Sequence, residues 1–147
     1  MVLIQACANT AAMEHGRYDA VTIATVAHDE ETLRLLLSLG ASAKLITSRY
    51  DSTALIAAAH LGHDGVAHQL IQTGAPLDHV NNLHWPALIQ SIVLGDGGPR
   101  HQHTLQTLLK TDASTRITGR AGRALLLLAR TRGYEAMVKA LLAAGAR

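Results

Sequence analysis

Apolar residues recur along this chain in short clusters at helical spacing, and each cluster closes on the same small motif. Leu33, Leu36 and Leu37 share one helix face and run into Gly40-Ala41, while Met137, Leu141 and Leu142 run into Gly145-Ala146. The close recurs after Leu70-Ile71 at Gly74-Ala75 and after Leu108-Leu109 at Asp112-Ala113. The four closing positions, Gly40, Gly74, Asp112 and Gly145, are 34, 38 and 33 residues apart. Glycine just past an amphipathic run predicts a left-handed helix stop, and Asp tolerates that conformation better than most residues.

A second pattern lies upstream of each close. Thr53-Ala54-Leu55-Ile56-Ala57-Ala58-Ala59-His60-Leu61-Gly62-His63 is matched by Pro86 through Gly95-Asp96, and more loosely by Ala124 through Gly133-Tyr134. The first copy, Asp19 to Asp29, has His28 where the others have glycine. Each copy predicts a short helix of small residues, a tight turn and a second helix. Acids such as Asp29, Glu30, Glu31 and Asp64 stand where the second helices begin, which suits the helix dipole. A cadence near 33 residues is the signature of stacked repeats.

At these residues, above all from Thr53 through Gly62-His63 to Gly74-Ala75, the chain resembles the ankyrin-repeat family. Asp78 to Asn82 with Gly95 to His101 further resembles a group of bacterial ankyrin proteins. The resemblance implies an all-α solenoid of about four helix-turn-helix repeats with short β-hairpin fingers. It implies one domain over residues 1–147: a partial repeat or cap at 1–16, then repeats at 17–48, 49–81, 82–119 and 120–147, the last a C-terminal cap. No unit keeps the family's Thr-Pro-Leu-His; Thr22, Ile56, Ile89 and Leu127 hold the His slot, so the hydrogen bonds made there are expected to be missing. A less stable array than a consensus one follows, because repeat interfaces add nearly one-dimensionally. The third unit carries five extra residues within 95–103, which read equally as a functional loop or a neutral insertion.

Composition narrows the picture further. The chain has 147 residues, 48% hydrophobic and 16% charged, which fits one globular domain. Phe is absent, so Ala and Leu must fill the core, favouring closely spaced helices over a sandwich of strands. The lone Cys7 excludes an internal disulfide framework and a multi-Cys metal site. No apolar run reaches membrane-spanning length, and the first residues lack a signal-peptide pattern. A cytoplasmic protein is expected, the periplasm staying open if an upstream signal segment has been removed.

Charge is unevenly spread. Residues 1–110 carry 6 Lys/Arg against 9 Asp/Glu, and residues 111–147 carry 7 against 2. The basic end reads as a solvated face or as an attractor of anions; nucleic acid is disfavoured because no aromatics interleave its arginines.

Candidate chemistry is sparse. Nine histidines raise the question of metal, but His60 with His63, and His101 with His103, bring no third ligand, so neither metal nor cofactor is expected. His63 has its explanation in the family's Gly-His, while His101 and His103 are expected to be exposed at a helix start. Glycines 97 and 98 lack the Lys and Ser/Thr of a phosphate loop, and no nucleophile–base set or His-Glu-x-x-His occurs. The chain is not expected to be an enzyme, nor to take a small-molecule substrate.

The resemblance supplies a surface instead: fingers and first helices lining a concave face. Carried over through Thr53, it falls at Arg49, Tyr50 and Ser52, at Asn82, Leu83 and Trp85, and at Arg120, Ala121 and Arg123. On the first helices it falls at His60-Leu61, Val93-Leu94 and Thr131-Arg132. Trp85 reads either as an exposed interface anchor or as packing between fingers. Tyr134 reads as a packing residue with its hydroxyl in water, and Arg120, Arg123 and Arg132 as a basic end to the groove. The expected function is a monomeric, non-catalytic module that binds an unidentified protein. Alternatives are an accessory to a redox enzyme such as a catalase, which the bacterial resemblance implies, and an anion or nucleic-acid binder at the basic end.

Overall fold

The computed structural model describes residues 9–111 and 119–147. Cys7, Asp112 and Ala113, named above, lie outside these residues. Helices α1 (Ala20–Val26) and α2 (Glu30–Ser38) form the first pair, α3 (Ala54–Leu61) and α4 (Asp64–Gln72) the second. Helices α5 (Ala87–Val93) and α6 (Pro99–Leu109) form the third, α7 (Gly119–Thr131) and α8 (Glu135–Ala143) the fourth. First helices pack on neighbouring first helices, second on second, and each pair on itself, so two helical layers stack along one axis. That is the solenoid which the cadence of glycine stops predicts.

Local chemistry starts several of the helices. The Asp19 carboxylate accepts from the Thr22 amide at 3.0 Å, the Asp29 carboxylate from the Thr32 amide at 2.9 Å, and the Thr53 hydroxyl from the Ile56 amide at 3.4 Å. Pro99 opens α6, where its missing N–H costs nothing. The stops behave as the sequence predicts: Gly40, Gly74 and Gly145 take φ of 91°, 87° and 97°. Between the layers lies a core without large aromatics, in which Leu33, Leu55, Leu70, Ile92, Leu105 and Leu141 are fully buried. Alanines such as Ala58 and Ala59 let the first helices approach closely.

The fingers are tight turns with very little strand. Thr47 and Ser52 form an isolated antiparallel bridge, and the Asn81 amide donates to the Trp85 carbonyl at 3.3 Å. Two residues before each of the first three first-helix caps, Arg17, Asp51 and His84 sit at φ of 62°, 50° and 60°. Any Cβ is strained in that left-handed region.

Four expectations need correction. Arg120, Ala121 and Arg123 are not in a finger; α7 begins at Gly119 and runs through them. Where Thr53 and Pro86 begin α3 and α5, this unit has Ala124, which neither caps a helix nor interrupts one, so nothing delays the helix. The His slot is also not without hydrogen bonds: the Thr22 hydroxyl pairs with that of Thr47 at 3.1 Å across the first two pairs.

His101 is not at the surface but 9% exposed, because the extra residues of the third unit swing it inward; His103 is exposed as expected. Finally, the Tyr134 hydroxyl is not left to water but donates to the Gly95 carbonyl at 2.9 Å.

The last two corrections belong to one device. Each pair after the first sends a side chain back to carbonyls at or just past the end of the preceding first helix, which have no partner within that helix. His63 Nδ1 donates to the Thr25 carbonyl at 2.9 Å, His101 Nε2 to that of His60 at 2.9 Å, and Arg100 to that of Leu61 at 2.9 Å. Tyr134 completes the series at Gly95. In the third pair Asp96 holds the position of His63, and its carboxylate cannot donate. The loop returns over Gly97, at φ 71°, so that His101 can do so. Asp96 then accepts from the Gly98 amide at 2.8 Å and from His101 Nδ1 at 2.9 Å, and backbone-bonded Gln102 ties down Gly97. The insertion is therefore absorbed into the repeat interface.

Candidate binding surface

The fingers and first helices of the first three pairs enclose an open hollow of about 400 Å³. Its finger side is built by Tyr18, Tyr50, Leu83 and Trp85, and its helix side by residues including Ile56, Ala57, His60 and Gln90. These positions follow from the repeat register: Ser52 and Trp85 each stand ten residues before the turn glycines Gly62 and Gly95, and Leu61 and Leu94 one residue before. None of the lining side chains is Asp, Glu, Lys or Arg. His60 has its pKa lowered by desolvation first and by the nearby His101 second.

Of the residues expected on this surface, Tyr50, His60, Leu83 and Trp85 meet in the hollow. Tyr50 and Leu83 are 52% and 50% exposed, an unusual outlay of apolar surface for a chain with so few large side chains. Trp85 is half-buried and lines the hollow, and its backbone amide donates to Asn81 Oδ1 at 3.1 Å. Arg49 and Asn82 are exposed but join neighbouring fingers, the Asn82 amide groups reaching the Arg49 and Tyr50 carbonyls at 3.2 and 2.9 Å. Ser52 and Leu61 line the hollow too.

The arginines separate. Arg120 and Arg123 fall on the same face of α7 as Arg130 and Leu127, which is 64% exposed. That face lies apart from Ala121, Ala124, Leu125 and Leu128, which border a second hollow of about 570 Å³ beyond Trp85. Arg132 is exposed one residue before Gly133, in the register of Leu61 and Leu94.

Electrostatics elsewhere serve the stack. Burial lowers the pKa of His63, the Thr25 bond acts against it, and His28, Arg100 and His101 lower it further. Its ring lies 4.1 Å from that of His28, almost parallel at 8°. Among the described residues no group of three His, Cys, Asp or Glu side chains is placed to hold a metal ion, and no helix is long and apolar enough to cross a membrane.

Gln90 escaped sequence reasoning. It is 3% exposed and lines the hollow, and its Oε1 is buried without a hydrogen-bond partner. A signal for it did exist: in the register of the repeat, Ile23, Ala57 and Leu128 hold the same position, so a glutamine is out of place.

With this geometry in hand, the chain can be set beside known proteins. Residues 50–82 match the family model for the ankyrin repeat. Over 145 residues the chain is 32% identical to the ankyrin repeat protein YahD of Escherichia coli K12, covering 98% of this chain and 72% of that protein. The crystal structure of an ankyrin repeat domain from Acinetobacter baumannii AYE superposes with a TM-score of 0.88 at 39% identity, over 99% of this chain and 74% of that one. That of the ankyrin repeat protein EF0377 does so with a TM-score of 0.80 at 25% identity, over 99% and 72%.

Proposed function

Because the chain belongs to the ankyrin-repeat family, whose members are generally non-catalytic protein–protein interaction modules, we propose that it binds a partner protein through the hollow between its fingers and first helices. The observation that carries this reading is the hollow itself. It gathers Tyr50, Leu83 and Trp85 around an uncharged floor, and exposed large apolar side chains clustered at a concavity are what interfaces use as anchors. The array does the positioning. Pair-to-pair stacking and carbonyl clasps hold three fingers in register, so the surface is presented with little ordering left to do on binding.

The test is affinity capture from the source cells on three baits: the natural chain, a Leu83→Ala/Trp85→Ala double variant, and a His68→Ala control on the exposed second-helix layer. The expected result is one partner retained by the natural chain and the control and lost from the double variant, at unchanged helix content. Equal recovery on all three removes the hollow as the binding surface.

A further inference from the structure

We infer that Gln90 is a recognition residue: its side-chain amide, in the floor of the hollow, hydrogen-bonds the backbone of an extended peptide segment that seats an uncharged apolar side chain beside Trp85. The inference rests on the reading of the hollow as the partner surface and names what enters it.

Three observations carry it. The first is the orphaned oxygen. Buried polar atoms are paired almost without exception, because an unpaired one forfeits its hydration and gains nothing in return. Gln90 Oε1 is buried without a partner, as are Asp19 Oδ2, Thr25 Oγ1 and Gln69 Oε1 among the described residues, but of these four residues Gln90 alone lines the hollow. The second is register. At this position the other three pairs carry Ile23, Ala57 and Leu128, so the scaffold accepts an apolar side chain there and has no need of an amide. The third is the lining. A hollow with no Asp, Glu, Lys or Arg strips a charged side chain of water without supplying a counter-ion, which excludes charged anchors and favours aromatic or aliphatic ones.

A primary amide has both a donor and an acceptor, and its terminal torsion is soft. A small rotation offers a peptide C=O the nitrogen and a peptide N–H the oxygen. Trp85 lines the same hollow, where an apolar side chain flanking that peptide group would lie. An extended segment suits this arrangement, since its backbone groups are still unpaired and its side chains alternate in direction.

The experiment uses a random 12-residue peptide display library selected on the whole chain. The consensus peptide is then synthesised and titrated against the natural chain, Gln90→Leu, Ala57→Arg and a surface control, His68→Ala. The lone Trp85 provides an emission signal at the site. The expected consensus has an invariant uncharged apolar position. Ala57→Arg, which fills the hollow, abolishes binding. Gln90→Leu weakens it about 5- to 10-fold while raising the thermal midpoint by about 3 °C or more.

Loss of affinity together with gain of stability is the signature, because a merely structural glutamine would lose stability on replacement. A lower midpoint for Gln90→Leu, or unchanged affinity where Ala57→Arg still blocks, overturns the role of Gln90 and leaves the surface standing. Binders indifferent to Ala57→Arg overturn the surface as well. A consensus with a charged anchor, or a library that yields no binder, overturns the peptide occupant.

Discussion

The Tyr134 hydroxyl donates to the Gly95 carbonyl oxygen across the boundary between the third and fourth helix pairs, 2.9 Å away. The Tyr134 ring also lies against Gly97, filling the space a Cβ would need. One side chain thus ties the last pair to the loop that precedes α6. Tyr134→Phe keeps the packing and leaves the carbonyl unpaired, so it is expected to cost about 1 kcal/mol. Gly97→Ala, which pushes the ring away and strains a left-handed backbone, is expected to cost more. Urea denaturation followed by circular dichroism checks the order; a Tyr134→Phe loss larger than that of Gly97→Ala contradicts it.

His101 and His103 are two residues apart and are expected to differ sharply. His101→Ala frees the His60 carbonyl, strips a donor from Asp96 and opens a gap between the second and third pairs, a loss of about 1–3 kcal/mol. His103 is exposed, and His103→Ala is expected to stay within about 0.5 kcal/mol of the natural chain. Equal effects in the same unfolding assay would show that the loop does not clasp the preceding pair.

Stability is expected to depend on pH in a defined direction. Burial lowers the pKa of His60 and His63, so the folded chain binds fewer protons than the unfolded one in that range. The associated stability is complete above the unfolded value of about 6.5 and is lost as pH falls through the lowered folded values. Asp29, held low by its bonds with Thr32, and Asp96, held low by the Gly98 amide and then by His101, act in the same sense. Their window lies below about pH 4. Urea midpoints at pH 8, 6.5 and 5 are expected to fall less across the last interval in His63→Ala than in the natural chain; an equal change in both contradicts the burial argument.

His84 sits at φ 60° in the third finger. Removing its Cβ relieves about 1–2 kcal/mol of left-handed strain, and the flexible unfolded glycine returns roughly half of that. His84→Gly is therefore expected to stabilise by up to about 1 kcal/mol, read as a higher melting midpoint. A lower midpoint would mean that the imidazole makes a contact worth more than the strain.

What the sequence made legible was what is local and periodic. Leu33, Leu36 and Gly40 spell a helix face and its stop within eight residues, and the same word returns down the chain, so helix pairs and their stacking could be read directly. The fourth unit misled because register was taken for conformation. Arg123 stands where Ser52 and Trp85 stand, but without a capping or proline stop the helix runs through it. His101 could not be read at all, because its role depends on how a five-residue insertion curves in space to replace a side chain that Asp96 cannot supply. Gln90 was written in plain view as the polar exception in an apolar column, yet only burial turned the exception into an unpaired atom.

The central claim, that the hollow between fingers and first helices is where a partner docks, is tested most directly by site-specific photocrosslinking in the source cells. A photoreactive phenylalanine analogue replaces Leu83 at the rim in one strain, and His68 on the second-helix layer in another. The account predicts one discrete adduct from position 83, lost when Ala57→Arg fills the hollow, and none from position 68. An adduct from position 68 alone, or one from position 83 that survives Ala57→Arg, would contradict it.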